Sequence, residues 1–425
     1  MIARIKTNLN KYFFFGNSIT DDGYLRLAYM LGRFLIFLPL SLCATLVLGV
    51  YSLFRPVKIF MLRCDRSKIS FIVEDLEVAL RIEAHNTKTS GAKPALIFAV
   101  LDCDSPNRAF TAMYGRVVPF LDDDRPLFRG IIRYSFPLLR IERKYLARRQ
   151  SDNQMIIWSE SPPTLTFTDA EKQKGSELQE KILSDASKPF VCIALPAKSY
   201  YELKMEKEHP VSKSVDLYSS FPSWESYFSC INSLSNSGLD VIRMGQSVDN
   251  TIDPSFCDII DYASTSRSEF GDIWLLANCK FVIAGGGTGV YWPASALNKP
   301  SLLTDIYDLL NTSNGKHDLT TPQLPWSRSE KRIMPFSWMI AQGENWALRK
   351  SLVEGDIEII KNSADELTEV ILEMNQRMDG TWIETDEDVE LQERFKRLRR
   401  DQPQWKVQQG VRIGAHFLRR YQHLL

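Results

Sequence analysis

The chain has 425 residues, 44% hydrophobic and 24% charged, enough for about two or three packed domains. Its 52 basic and 52 acidic side chains cancel to zero formal charge, which argues against a general nucleic-acid binder. Seven cysteines (Cys43, Cys64, Cys103, Cys192, Cys230, Cys257, Cys279) are scattered without a CxxC pair. They read as reduced, buried thiols, and argue against a zinc site or a disulfide framework.

In chain order, the first feature is a charge-free run from Phe34 to Phe54, FLIFLPLSLCATLVLGVYSLF. About 20 apolar residues suffice for a helix to cross a hydrocarbon core. The run reads as a membrane-anchor helix that spans or docks on the bilayer; a buried core helix is the alternative. Basic residues flank it on both sides (Arg26 and Arg33 before, Arg55 and Lys58 after), so orientation stays open. Short β-rich runs follow at Ile69–Val73, Ala95–Leu101 and Met155–Ser159. The polar stretch 166–189 then predicts an exposed helix or hinge, and the domain boundary is placed there.

The second half alternates clearly. Phe190–Leu195 predicts a buried strand, followed by a helix with Ser223 as N-cap and Gly238 as its stop. Trp224, Tyr227, Phe228, Ile231 and Leu234 fall at helical spacing on it. Strands are predicted at 240–244 and 258–263, a helix from Ser268, and a strand at 281–284. Three glycines then lead into a helix carrying Pro293, and 300–305 closes the unit as a strand. The pattern is a Rossmann-like α/β domain with a mainly parallel sheet.

Ligands of such sheets bind outside the carboxyl ends of the strands. Arg243 and Gly245 end one strand, Asp261 and Tyr262 another. Gly285, Gly286, Gly287, Thr288 and Gly289 end a third and open a helix. Bare amides at a helix start, a Thr288 hydroxyl and the Arg243 cation would cradle a diphosphate; tight packing is the plainer reading of the same glycines. The turn lacks the G-x-G-x-x-G spacing, since Val290 stands at its last glycine, and no P-loop is present. A nicotinamide dehydrogenase and a P-loop enzyme are therefore disfavoured. Asp102 and Asp104 follow a predicted strand and are candidates for a general base or for helix caps. Glu269 and Asp272 open a helix, where carboxylates suit the dipole or bind sugar hydroxyls. The five histidines show no metal-ligand spacing.

The stretch DVIRMGQSV…DIIDYASTSRSEFGDIWLLANCKFVIAGGGTG resembles an uncharacterised family of bacterial surface-polysaccharide glycosyltransferases. The likeness continues at Asn362–Trp382, Glu390–Phe395 and Val411–Leu425, and so covers most of 190–425. It implies α/β architecture with two Rossmann-like lobes (GT-B-like), a nucleotide-sugar donor and no required metal or other cofactor. Asp272 matches the family pattern. The implied organisation is a tail and hydrophobic membrane-associated helix at 1–65 and an acceptor lobe at 66–185. A nucleotide-sugar lobe follows at 186–380, then basic helices packing back on the lobes at 381–425. Donor-binding candidates are Arg243, Gly245, Asp272, Gly285, Gly286, Gly287, Thr288 and Gly289; no catalytic residue is assigned.

Departures from the family pattern bear on activity. Pro196 and Ala197 stand where it has Arg-Asp, Phe221 and Pro222 where it has Arg-Asn, and Ser70 and Phe71 where it has Gly-His. Lys198, two residues on, offers a substitute point charge. Transfer of a sugar from a nucleotide diphosphate to a hydroxyl of a cell-surface polysaccharide or lipid-linked glycan is therefore expected beside two alternatives. These are an inactive scaffold in polysaccharide assembly and a two-lobe epimerase. Expected partners are a nucleotide-sugar, a glycan or lipid-linked acceptor and a membrane surface, without nucleic acid, with the lobes on the cytoplasmic side. The basic cluster Arg394–Arg400 reads as a solvated helix face or as a contact for anionic headgroups.

Overall fold

A computed structural model describes residues 56–62, 69–70, 72–91, 93–101, 107–120, 161–199, 221–286, 288–306, 315–342, 355–399 and 412–425, with Leu309 and scattered positions in 35–54. The predicted strand at Met155–Ser159 and most of the predicted anchor lie outside these residues. Among the described residues no helix is long and apolar enough to cross a membrane, which leaves the anchor without structural support. Leu35, Leu42, Leu46, Val47, Val50, Leu53 and Phe54 are exposed, as is Cys43, against the expectation of uniformly buried thiols. Cys192, Cys230, Cys257 and Cys279 are buried and free.

The chain divides into two compact units. One comprises Met1–Ser67, Glu83–Ser105 and Val118–Arg149; the other comprises Lys68–Ile82, Pro106–Val117 and Gln150–Leu425. In the first, β1 (Val57–Leu62) pairs in parallel with β2 (Leu96–Leu101), and Phe120 adds one parallel bridge to Ala99. β1 lies inside the region expected to be only a tail and anchor.

The predicted strand at Ile69–Val73 is instead a turn entering a π-helical turn, Ile72–Glu77, continued by α1 (Val78–Ser90). The apolar run is too short to reveal its period. Read further, Ile72, Leu76 and Leu80 are buried at four-residue spacing, with Val73 beside them, as one helical face requires.

The second unit is built on a six-stranded parallel sheet. Its strands are β3 (Phe190–Ala194), β4 (Asp240–Arg243), β5 (Val282–Gly285), β6 (Ser301–Ile306), β7 (Leu319–Pro322) and β11 (Arg412–Ile413). The order is β11-β7-β6-β5-β3-β4. β3, β5 and β6 are buried throughout, as central strands covered on both faces must be. α4 (Phe228–Asn236) and α9 (Ala364–Asp379) bring Ile231, Leu234, Leu367 and Ile371 onto Val191, Ile193 and Ile283 on one face. α7 (Tyr291–Ala296) packs Tyr291 on Ala284 and Leu303 on the other. α6 (Glu269–Asn278) lies beside α7 and is contacted by α2 (Arg108–Gly115) and α3 (Asp169–Ile182).

Local signals explain the helix ends. Thr168 and Glu171 form a capping box on α3, and Ser363 with Glu366 forms another on α9. The predicted 166–189 helix is not simply exposed: Gly175 lies against the Trp274 ring, with no room for a Cβ. Ser223 precedes a 3-10 turn, Trp224–Tyr227, but its side chain makes no capping bond. The predicted strand at 258–263 reduces to one bridge, Ile242 to Ile260, because Tyr262 opens the short helix α5 (Tyr262–Thr265). Three antiparallel strands, β8 (Leu324–Ser327), β9 (Arg332–Ile333) and β10 (Ile357–Ile360), form a separate small sheet. Beside it, α8 (Phe336–Ala341), α10 (Asp386–Arg399) and α11 (Ala415–Arg420) share a core of Phe336, Phe395, Phe417 and Leu418.

Candidate functional site

The chain leaves β3 for β4 on one side and returns to β5 on the other. In an open parallel sheet this reversal of strand order opens a crevice at the carboxyl ends. The segments leaving β3, β4 and β5 therefore define the candidate site. Arg243 closes β4, with Gly245 just beyond it, and Gly285 closes β5, with Gly286, Thr288 and Gly289 in the turn that follows.

The glycine turn is packed more closely than a bare anion cradle. A Cβ on Gly285 would stand 2.4 Å from Leu195 Cδ2 and 2.9 Å from the Tyr227 hydroxyl. Gly286 is left-handed, with φ of 57°, and its Cβ would lie 2.9 Å from Pro196 Cγ and 3.1 Å from Pro222 Cδ. Both glycines are thus required by packing. The two prolines stand where the resemblance leads one to expect Arg-Asp and Arg-Asn. The Gly286 amide donates to the Thr304 carbonyl at 2.9 Å, and the Thr288 amide to the Gly285 carbonyl at 3.2 Å. The Thr288 hydroxyl donates to the Ala194 carbonyl at 3.3 Å. At Gly289 a Cβ would meet nothing within 4 Å, so packing does not demand that glycine. Gly287 lies outside the described residues.

The helix after the turn is fixed from its far end. Arg81 donates through Nη2 to the Ala296 carbonyl at 2.7 Å and through Nη1 to Asn298 Oδ1 at 2.6 Å. Its Nε pairs with Glu77 Oε1 at 2.7 Å. Both charges are fully buried and hydrogen-bonded, as interior ions require.

Arg243 is 3% exposed, and its charge is already partnered. Nη1 donates to Asp261 Oδ2 at 2.9 Å and to the Asn250 carbonyl at 2.7 Å. The guanidinium lies 4.8 Å from the Trp224 ring centroid, a cation–π contact. Arg243 therefore ties the segment after β4 to the sheet. From the same segment, Asp249 accepts the amides of Lys198 at 2.6 Å and Ser199 at 2.8 Å, just beyond β3. Partial burial opposes its charge, but the bonds from Ser199 and Lys198 and the Arg243 field hold the carboxyl below its ordinary range.

Asp272 stands in the first turn of α6, beside Tyr262 from the segment after β4. It pairs with Arg267 at 2.7 Å. Burial outweighs that partner and pushes the carboxyl up to about 6. Ser268 caps the helix by accepting from the Gly271 amide at 3.0 Å. Glu269 accepts the Arg108 amide at 2.9 Å, so both acidic residues have structural partners. Asp102 and Asp104 lie outside the described residues. Among the described residues no cluster of three His, Cys, Asp or Glu is placed to hold a metal ion.

Three groups that the sequence did not single out lie beneath the glycine turn. Tyr227 donates to Asp305 Oδ2 at 2.5 Å. Its oxygen is 2.6 Å from Thr304 Oγ1, which is left to donate to it. Asp305 also accepts the Asn362 amide at 3.2 Å and has a φ of 53°. Burial raises the Asp305 carboxyl despite these donors. The available signal was an aspartate near the end of a buried strand, SLLTDI; Tyr227 reads from sequence as an ordinary core aromatic.

No protein-family profile matches the chain, and no curated protein matches its sequence. Solved structures similar to it include a glycosyl transferase family 9 protein from Veillonella parvula, 9% identical, with a TM-score of 0.34, covering 58% of this chain and 80% of that one. ADP-heptose LPS heptosyltransferase II of E. coli is 14% identical, with a TM-score of 0.35, covering 58% of this chain and 84% of that one. A dodecameric iron-containing heptosyltransferase, solved with ADP-D-beta-D-heptose, is 15% identical, with a TM-score of 0.32, covering 61% of each chain.

Proposed function

We propose that the protein is a two-lobe, GT-B-like glycosyltransferase that takes a nucleotide-diphosphate sugar at the carboxyl ends of β3, β4 and β5. The observation that carries this reading is the convergence of three chain segments at the reversal of strand order, with Lys198 exposed there and Gly289 free of packing demands. In the transfer, the bond from the sugar's anomeric carbon to the diphosphate breaks and a bond to an acceptor hydroxyl forms. The nucleoside diphosphate leaves with the electron pair, and the acceptor proton passes to a base. Preset positive groups lower this barrier by meeting the charge on the leaving group. The acceptor is a hydroxyl of a cell-surface polysaccharide or lipid-linked glycan. The charge-free run 34–54 would hold the lobes at the cytoplasmic face of a membrane, which flotation of the full chain with liposomes tests.

One observation favours a second reading, a scaffold that keeps the fold without transfer. Pro196 and Pro222 close on Gly286, and the nearby amides bond within the chain. Thermal shift with UDP, GDP, CMP and ADP separates the two. Stabilisation by one nucleotide, followed by its release from the matching nucleotide-sugar with a glycan or lipid acceptor, supports the transferase. No response to any of the four supports the scaffold.

A further inference from the structure

We propose that Asp249 is an internal anion standing in the place of a ligand's pyrophosphate, so that binding requires its carboxylate to swing out. This rests on reading the crevice as a diphosphate site, and it adds an autoinhibitory contact to it. Each carboxylate oxygen takes one of two consecutive amides, Oδ2 from Lys198 at 2.6 Å and Oδ1 from Ser199 at 2.8 Å. Lys198 and Ser199 open a helical turn, and free amides at a helix start suit a phosphate as they suit a carboxylate. A second observation points the same way. The buried Arg243 guanidinium contributes to the field at Asp249, and its Nε has no hydrogen-bond partner. An exposed amide pair and a buried guanidinium thus favour an anion at this spot, and the chain supplies one from a neighbouring segment.

The contact is made by a side chain, so rotation of Asp249 frees both amides without breaking a strand pairing. Arg243 would still hold the segment through Asp261 and Asn250. A ligand with two linked phosphates offers more charge than one carboxylate and competes best.

Calorimetry on the full chain tests this with inorganic pyrophosphate and with UDP, GDP and ADP. Asp249→Ala should bind pyrophosphate about 10-fold tighter than the parent, since it removes a competing charged acceptor. Asp249→Asn, which keeps the shape but not the charge, should fall between, and it carries the test if the alanine variant does not fold. Asp253→Ala is the control. It removes the same charge from the same segment, but its carboxylate bonds only its own turn, at the Ser255 amide. No gain in either Asp249 variant, or an equal gain in Asp253→Ala, overturns the proposal. Tighter pyrophosphate binding without any nucleotide binding keeps the Asp249 contact and removes the nucleotide-sugar reading. Equal nucleotide affinity in parent and Asp249→Ala keeps that reading and removes the autoinhibitory contact.

Discussion

The glycine turn after β5 and the amide pair after β3 lie at the carboxyl ends of neighbouring strands, and both offer backbone N–H groups. They are filled by different means. At the turn, the Thr304 and Gly285 carbonyls take the amides, and two proline rings close the space. At the pair, a single carboxylate does so. The Thr304 carbonyl leaves only if the end of the β5–β6 pairing opens, whereas a side chain leaves by rotating. The more conspicuous motif is therefore the rigid floor of the crevice, and the plainer segment is the exchangeable part. Gly286→Val is the strongest way to break this contrast. A β-branched residue at φ of 57°, with its Cβ 2.9 Å from Pro196, should cost about 4 kcal/mol from backbone strain and overpacking together. Urea unfolding measures it. A loss under about 1 kcal/mol would mean that the prolines yield and the turn is as open as the amide pair.

Tyr227→Phe tests the floor from below. The substitution removes the donor to Asp305 and the acceptor for Thr304, both buried. Leaving a buried carboxylate short of a donor should cost about 2–3 kcal/mol. Thermal or urea unfolding of the full chain reads this loss. An unchanged midpoint would show that the floor does not depend on the Tyr227–Asp305 bond.

The second half of the chain was legible because its elements carry strong periodic signals. β3, α4, β4, α6, β5 and β6 fall within a residue or a few of their expected bounds. A buried run such as FVCIA has no polar face to confuse it. The first half misled at Ile69–Val73, where five apolar-rich residues cannot distinguish a period of 2 from one of 3.6. β11 is two residues long and pairs with a strand about ninety positions earlier, so nothing local announces it. At the site, Arg243 and the glycines were placed correctly at strand ends, since strand boundaries fix them. Their partners were not legible. Asp249 sits in an aperiodic segment, and Asp261 was expected only as a strand end; the fold alone brings them to Lys198 and Arg243. The left-handed backbone of Asp305 likewise has no sequence signal comparable to glycine.

Asp272 sharpens the contrast, because it is a carboxylate whose partners do not outweigh burial, unlike Asp249. Its folded value of about 6 lies above the ordinary 3.8. The folded state then holds the proton more tightly than the unfolded chain. Stability from this group is present below the unfolded value and lost as pH rises from about 4 to about 6, by about 2 kcal/mol. Asp272→Asn should flatten that window. Urea midpoints taken at steps across it decide the matter, and a parent curve already flat there refutes the assignment.

Asp388 is the opposite case, and like Asp249 it takes a backbone amide. Its Oδ2 accepts the Thr385 amide and hydroxyl at 2.9 Å each, and Arg419 pairs with it at 2.8 Å. Burial works against the charge, but Arg419 and Thr385 prevail and hold the carboxyl down at about 2. The folded value is below the unfolded one, so the stabilisation is present above about pH 4 and lost as pH falls towards 2. With screening by nearby water it amounts to about 1 kcal/mol. Arg419→Ala should remove part of this acid sensitivity, and Asp388→Asn all of it, while α11 still packs through Phe417 and Leu418. If both variants keep the parent's slope between pH 4 and 2, amide-and-guanidinium capture of a carboxylate is weaker in this fold than its geometry indicates. The affinity gain expected on removing Asp249 would then shrink with it.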